Sequence, residues 1–143
     1  MRIVLDTSVV VAGLRTRLGA GNAVLREVAR QRLIPLASPP LFLEYEDVMK
    51  RPEHRLVHGM SLEAIDEFLA EFAALIEPVE VHFQWRPQTP DPNDEMVLET
   101  AINGGASALV TFNRQDFAGA AKDFRFRVWL PGEALRHLRS STR

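Results

Sequence analysis

The feature that most constrains the fold is the alternation of short apolar runs with longer segments of helical character. The apolar runs lie at Arg2–Leu5, Leu33–Ala37, Ala108–Thr111 and Arg127–Leu130. Strands that alternate with helices pair in parallel through right-handed crossovers. The pattern therefore predicts an α/β protein, a three-layer α/β/α sandwich with a central, mainly parallel sheet.

Proline and capping side chains delimit the helices. Ser38 is followed by two prolines, which favour the first turn of a helix, and this helix ends at Arg51-Pro52. Ser61 caps a helix whose apolar residues recur every three or four positions as far as Ile76. The remaining predictions are helices over Val9–Leu14, Asn22–Gln31 (with Asn22 as the cap) and Asn93–Asn103 and from Pro131 onward, an edge strand at Val79–Val81, and a loop from Pro87 to Pro92.

Length and composition favour one ordinary globular domain over residues 1–143, with 46% hydrophobic and 25% charged residues. The absence of cysteine excludes disulfides, thiolate metal sites and cysteine nucleophiles. No basic and apolar leader begins the chain, and no early apolar run is long enough to cross a bilayer. We therefore expect a cytoplasmic protein with no membrane association.

Charge is distributed unevenly along the chain. The formal balance is +3 over residues 1–60, −9 over 61–100 and +4 over 101–143. Fifteen of the 17 basic residues are arginine, which pairs with phosphate through two parallel hydrogen bonds. Arginine clusters occur at Arg15/Arg17, at Arg26/Arg30/Arg32 and at Arg136/Arg139/Arg143. This distribution permits a polyanionic substrate, although a GC-rich genome would explain the arginine excess equally well.

Four carboxylates occupy positions where a parallel sheet would gather them. Asp6 ends the first strand, Glu44 borders the apolar face of the helix after Pro40, Asp94 lies in the first turn of a helix, and Asp116 follows the run Ala108–Thr111. Ligands bind beyond the carboxyl ends of such strands, and gathered carboxylates need a cation. The pattern predicts a hard-metal site, although an acid such as Asp94, taken alone, is commonly just a helix-start residue.

Two hydroxyls could support this site. Ser8 could bind a water on the metal or cap the following helix, and Thr111 could hydrogen-bond Asp6 or simply favour its strand. The histidine pair His54 and His58 lies in a loop-like stretch without a third ligand, which argues against zinc.

The chain resembles the PIN-domain family, in particular its VapC-like branch of toxins of type II toxin–antitoxin systems. The resemblance runs over nearly the whole length, and no single motif is specific. It rests on four motifs in order: Val4-Leu-Asp6-Thr-Ser8, Glu44 followed by Arg51-Pro52, Asp91-Pro-Asn-Asp94, and Leu109-Val-Thr111-Phe-Asn113-Arg-Gln-Asp116-Phe117.

The resemblance implies a ribonuclease that hydrolyses RNA with Mg²⁺ or Mn²⁺ and pairs with a cognate antitoxin. The metal-binding and catalytic residues would be Asp6, Glu44, Asp94 and Asp116. Ser8, Thr111 and Asn113 would support them, and Arg15, Arg17 and Arg114 would contact the RNA. We also expect a homodimer, because Leu43 and the phenylalanines at 112, 117, 124 and 126 would otherwise expose much apolar surface.

One departure keeps a second function open. Many relatives carry aspartate where this chain has Asn113, which removes a negative charge and passes the role of fourth acid to Asp116. A catalytically degenerate PIN-like module that binds protein or RNA without cleavage is therefore the alternative. A response-regulator receiver is excluded because no lysine follows the last strand, and a haloacid-dehalogenase phosphatase because Ser8 stands where its second aspartate belongs.

Overall fold

A computed structural model describes residues 1–82, 92–124 and 126–141. Over these residues the chain forms five strands and eight helices. The strands are β1 (Arg2–Leu5), β2 (Ile34–Ala37), β3 (Glu77–Pro78), β4 (Ala108–Val110) and β5 (Arg127–Trp129). The helices are α1 (Thr7–Arg15), α2 (Ala20–Ala29), α3 (Pro39–Lys50), α4 (Pro52–His58), α5 (Leu62–Leu75), α6 (Pro92–Gly104), α7 (Arg114–Phe124) and α8 (Pro131–Ser141).

The sheet is parallel throughout, with the strand order β3-β2-β1-β4-β5. From β1 the chain first moves to β2 and β3 on one side, and then crosses to β4 and β5 on the other. Right-handed crossovers place the helices that connect β1 to β2 and the helix that leads into β4 on opposite faces. Accordingly α6 packs against β1, β2, β4 and α7, whereas α2 packs against α1, α5 and α8. The predicted α/β architecture with a central parallel sheet is confirmed.

The central strands are apolar because helices cover both of their faces. Ile3, Val4 and Leu5 of β1 and Leu109 of β4 have no exposed surface. The core continues into α3 through Tyr45, whose ring packs edge-to-face against Phe72 of α5. The apolar residues of β1 and β4 are thus fully buried, and these strands determine the positions of the residues that follow them.

The local signals predicted most helix ends. Ser38 Oγ accepts a hydrogen bond from Leu41 N at the start of α3, and Ser61 Oγ accepts one from Ala64 N at the start of α5. The apolar stripe of α5 is buried at Ile65, Leu69 and Phe72. The Ser61 cap, the start of α3 after Ser38 and the burial of that stripe are as the sequence predicts.

Other predictions were wrong. The segment from Pro52 to His58 is helix α4, not loop-like, and α7 was not predicted at all. Asn22 does not cap α2, which begins at Ala20; its Nδ2 instead donates to Gly13 O. The edge strand is Glu77–Pro78, not Val79–Val81. The predicted loop from Pro87 to Pro92 lies almost entirely outside the described residues.

The helices α1 and α2 cross in close contact at two glycines. A Cβ placed on Gly21 would lie 3.1 Å from both Gly13 N and Val9 O, which are backbone atoms of α1. A side chain at this position would therefore separate the helices. This contact matters for function because Ser8 lies at the start of α1 and is held beside Asp6.

Among the described helices, none combines the length and apolar character needed to cross a membrane.

Candidate active site

The site begins at the switch point of the sheet. Strand β1 lies between β2 and β4. The connection after β1 runs to one side of it and the connection into β4 runs to the other, so a crevice opens at the carboxyl ends of β1 and β4. Asp6 follows β1 and Thr111 follows β4. Asp6 N donates to Val110 O at 2.9 Å, which extends the pairing of the two strands to their last residues.

The Asp6 carboxylate is buried, with 6% of its surface exposed, and two hydroxyls orient it. Ser8 Oγ donates to Asp6 Oδ2 at 2.8 Å, and Thr111 Oγ1 donates to the same oxygen at 2.7 Å. Thr111 Oγ1 in turn accepts a hydrogen bond from Asn113 N at 2.9 Å. Because both hydroxyl contacts fall on Oδ2, Oδ1 is the oxygen left for a further ligand.

Tyr45 of α3 contacts the last residue of β1. Its hydroxyl is buried and donates to Leu5 O, the carbonyl that precedes Asp6. Burial raises the pKa of Tyr45 well above its ordinary value, and the negative charge of Asp6 raises it further. The phenol therefore stays protonated and remains a donor.

Three carboxylates line one cavity of about 360 Å³. Asp6 comes from the end of β1, Glu44 from α3 and Asp94 from the first turn of α6. Arg15 and His54 also line it, together with Ser8 and apolar side chains of α1 and α3. Residues far apart in sequence thus meet at the carboxyl edge of the sheet.

The donor set fits a hard divalent cation in chemistry, since carboxylate oxygens are the ligands that Mg²⁺ and Mn²⁺ prefer. Its geometry, however, is not that of a preformed metal site. Within residues 1–82, 92–124 and 126–141, no three His, Asp or Glu side chains lie close enough together to hold a metal ion as they stand. A cation would have to draw Glu44 and Asp94 towards Asp6.

The fourth predicted acid does not line this cavity. Asp116 is in the first turn of α7 and lines a second cavity, of about 320 Å³, with Asn113 and Arg114. Arg114 forms an ion pair with Glu133 of α8, whose carboxylate also accepts a hydrogen bond from Leu130 N. That hydrogen bond, followed by the charge of Arg114, lowers the pKa of Glu133 against the opposing effect of burial.

Two site features were not predicted. His54 lines the cavity because α4 turns back from α3 at Arg51-Pro52, and the sequence offered no apolar periodicity that would have indicated this helix. Glu95, next to Asp94 in the first turn of α6, is buried with 4% exposed, as is Glu99 one turn later. The two acids are four residues apart and so lie on one face of the helix, which was the signal available in the sequence. Of the predicted RNA contacts, Arg17 is exposed and does not line the cavity.

A family model for the PIN domain matches residues 2–115, which include every element from β1 to β4. The chain belongs to the PIN-domain family. The matched segment contains Asp6, Glu44, Asp94 and Thr111, whereas Asp116 lies one residue beyond it.

The fold is also similar to a solved structure, that of VapBC2 from Rickettsia felis bound to a DNA fragment from their promoter. The TM-score is 0.58 and the identity 17%, with 90% of this chain and 97% of that chain covered. At this identity the similarity concerns the fold alone. The comparison with curated proteins gave no match.

Proposed function

We propose that this PIN-domain protein is a metal-dependent ribonuclease that hydrolyses phosphodiester bonds in RNA with Mg²⁺ or Mn²⁺. The observation that carries the proposal is the meeting of Asp6, Glu44 and Asp94 in one cavity at the switch point, with Asp6 held by two hydroxyls. Asp116 is proposed as a fourth acid that approaches from α7. Membership of the PIN-domain family supports the assignment.

The chain's own residues would prepare the site. Ser8 and Thr111 hold Asp6 with Oδ1 available, and Glu44 and Asp94 supply carboxylate oxygens from two helices. Arg15 is proposed to bind the phosphate next to the scissile bond, since it lines the same cavity. A bound divalent cation would lower the pKa of the attacking water and neutralise the phosphate.

We further propose that the protein is the cytoplasmic toxin of a toxin–antitoxin pair, with a cognate antitoxin as its partner. The support is the similarity in fold to the VapBC2 structure together with the family match.

The metal requirement tests the enzymatic function. Purified protein with Mg²⁺ or Mn²⁺ is expected to cleave single-stranded RNA, and EDTA is expected to abolish cleavage. Millimolar metal should also raise the melting temperature, because an ion that binds only the folded state stabilises it. Cleavage that persists in EDTA would indicate a contaminating ribonuclease. No cleavage and no thermal shift would instead favour the PIN-like binding module.

We propose a homodimer on the basis of exposed apolar side chains. Leu43 on α3 is 61% exposed, and Phe112 after β4 is 44% exposed. Phe117 is buried in the core, and Phe124 and Phe126 are partly buried against that core. These three phenylalanines therefore add little to the exposed apolar surface. Light scattering is expected to give twice the 16.1 kDa chain mass at micromolar concentration. A single 16.1 kDa species would contradict the dimer.

A further inference from the structure

One arginine cluster and Arg139, which is more than 100 positions further along the sequence, line one cavity between α2 and α8. Arg26, Arg30 and Arg32 approach from α2 and the turn that follows it, and Arg139 from α8. The cavity has a volume of about 350 Å³, and aliphatic side chains of both helices form part of its lining. It is distinct from the candidate active site, with which it shares no residue.

The cavity is strongly basic in a chain that is acidic as a whole. Four arginines and one carboxylate, Glu27, line it, a balance of +3, against −2 for the chain. All four arginines are exposed. Arg26 makes no ion pair with any carboxylate in the part of the chain that the structure describes. A concave surface of one charge sign raises the local concentration of oppositely charged ligands.

Glu27 preorganises two of the arginines. Arg30 Nη1 lies 3.0 Å from Glu27 Oε1, and Arg32 Nε lies 3.3 Å from Glu27 Oε2. Oε2 is buried and accepts no hydrogen bond of good geometry from a described residue, so the second contact is electrostatic. Guanidinium groups held in this way lose less conformational freedom when they bind a phosphate.

The cavity lies near the amino ends of the strands, whereas the candidate active site lies near their carboxyl ends. Arg32 is two residues before β2, whose first residue, Ile34, donates through its backbone to Met1 O at the amino end of β1. The helix α2 connects the two regions. It begins shortly after Arg15, which lines the active-site cavity, and its ten residues span about 15 Å. Exposed arginines stand on either side of this helix, Arg15 and Arg17 before it and Arg26 and Arg30 in and after its second half.

We propose that the cavity binds backbone phosphates of the single-stranded RNA substrate, a few nucleotides away from the scissile bond. The inference rests on the proposed ribonuclease function and adds a second substrate contact to it. Arginine binds phosphate through a planar fork of donors, and arginines are present in both cavities. A single RNA strand fits better than an acidic peptide, because its regularly spaced phosphates can reach cations in both cavities.

Binding of fluorescein-labelled RNA, measured by anisotropy in EDTA to prevent cleavage, tests the proposal. The double variant Arg26→Gln/Arg139→Gln is compared with Lys122→Gln/Arg127→Gln, which removes two exposed cations from α7 and β5. For RNA of about 16 nucleotides, the first variant is expected to lose about tenfold in affinity and the control less than about twofold. For RNA of about four nucleotides, both variants should bind with the same affinity as the wild-type chain, because the strand is too short to reach the cavity.

Salt dependence adds an independent readout. Loss of two phosphate contacts should reduce the slope of log K against log salt by about 1.4 for a single strand, in the cavity variant only. Equal losses in both double variants, or no loss in either, would overturn the proposal. Displacement of the RNA by polyglutamate of equal charge at equal concentration would also overturn it and assign the cavity to an acidic protein segment.

The outcome is separable from that of the nuclease assay. If the Arg26→Gln/Arg139→Gln variant binds RNA more weakly but the wild-type chain never cleaves RNA, the result supports RNA binding by the cavity and contradicts the enzymatic function. Metal-dependent cleavage with unchanged affinity in the Arg26→Gln/Arg139→Gln variant contradicts the cavity and leaves the enzymatic function standing. Circular dichroism melts of both double variants establish that each is folded.

Discussion

Replacing Asp6 by asparagine is expected to lower the rate of RNA hydrolysis about 100- to 1,000-fold, since a catalytic cation contributes several kcal/mol and each 1.4 kcal/mol is a factor of ten. Asparagine keeps an oxygen that can accept the hydroxyls of Ser8 and Thr111, so the fold should survive. The substitution removes the charge that would attract the metal ion. Single-turnover cleavage with saturating Mg²⁺ measures the loss.

The helix that carries Glu44 provides the matched control. Asp47 is exposed and pairs with Arg51 on the surface of α3, so Asp47→Asn should leave the rate within about twofold of the wild-type value. Thr111→Val keeps the shape of a fully buried side chain but removes the hydroxyl that orients Asp6, and about 10- to 100-fold should be lost. An undiminished rate in Asp6→Asn would disprove the assignment of the site.

Replacing Gly21 by valine is expected to lower the free energy of unfolding by about 2 to 3 kcal/mol, a typical cost of overpacking at a tight contact. The added Cβ would meet Gly13 N and Val9 O at 3.1 Å, and backbone atoms cannot move aside as a flexible side chain can. The two helices must therefore separate, and α1 carries Ser8. Urea unfolding monitored by circular dichroism measures the effect.

Gly119 of α7 is the control for this substitution. It is exposed, and a Cβ there would meet no atom of the described residues within 4 Å, so Gly119→Val tests the helical preference of valine against glycine. Its effect should stay within about 0.5 kcal/mol. Equal effects at the two positions would show that the crossing of α1 and α2 is not the cause.

What could be predicted of the fold depended on the range of the interactions involved. The caps Ser38 and Ser61 bind backbone groups three residues away, so the sequence contains all of their partners. Helix α4 could not be recognised, because no side chain in it is buried and it therefore lacks an apolar stripe. Helix α7 buries only Phe117 and Ala120 and contains Gly119, which weakens a helical pattern.

The candidate site shows the same division. That Asp6 follows a buried strand was visible in the sequence, and the hydrogen bond suggested between Thr111 and Asp6 is present in the structure. The cavity that contains His54, and the separation of Asp116 from Asp6 into a second cavity, were not visible. They depend on how α4 and α7 pack.

By itself, the sequence determined the parallel sheet, most helix starts and the residues available for chemistry, because periodicity, capping and strand-end position are properties of neighbouring residues. Only the tertiary structure decided which of those residues meet. Asp6, Glu44 and Asp94 reach one cavity, and Arg26 and Arg139 reach another, because strand order and helix packing bring together residues tens of positions apart. These long-range contacts follow from the burial of apolar surface across the whole chain, which no local pattern specifies.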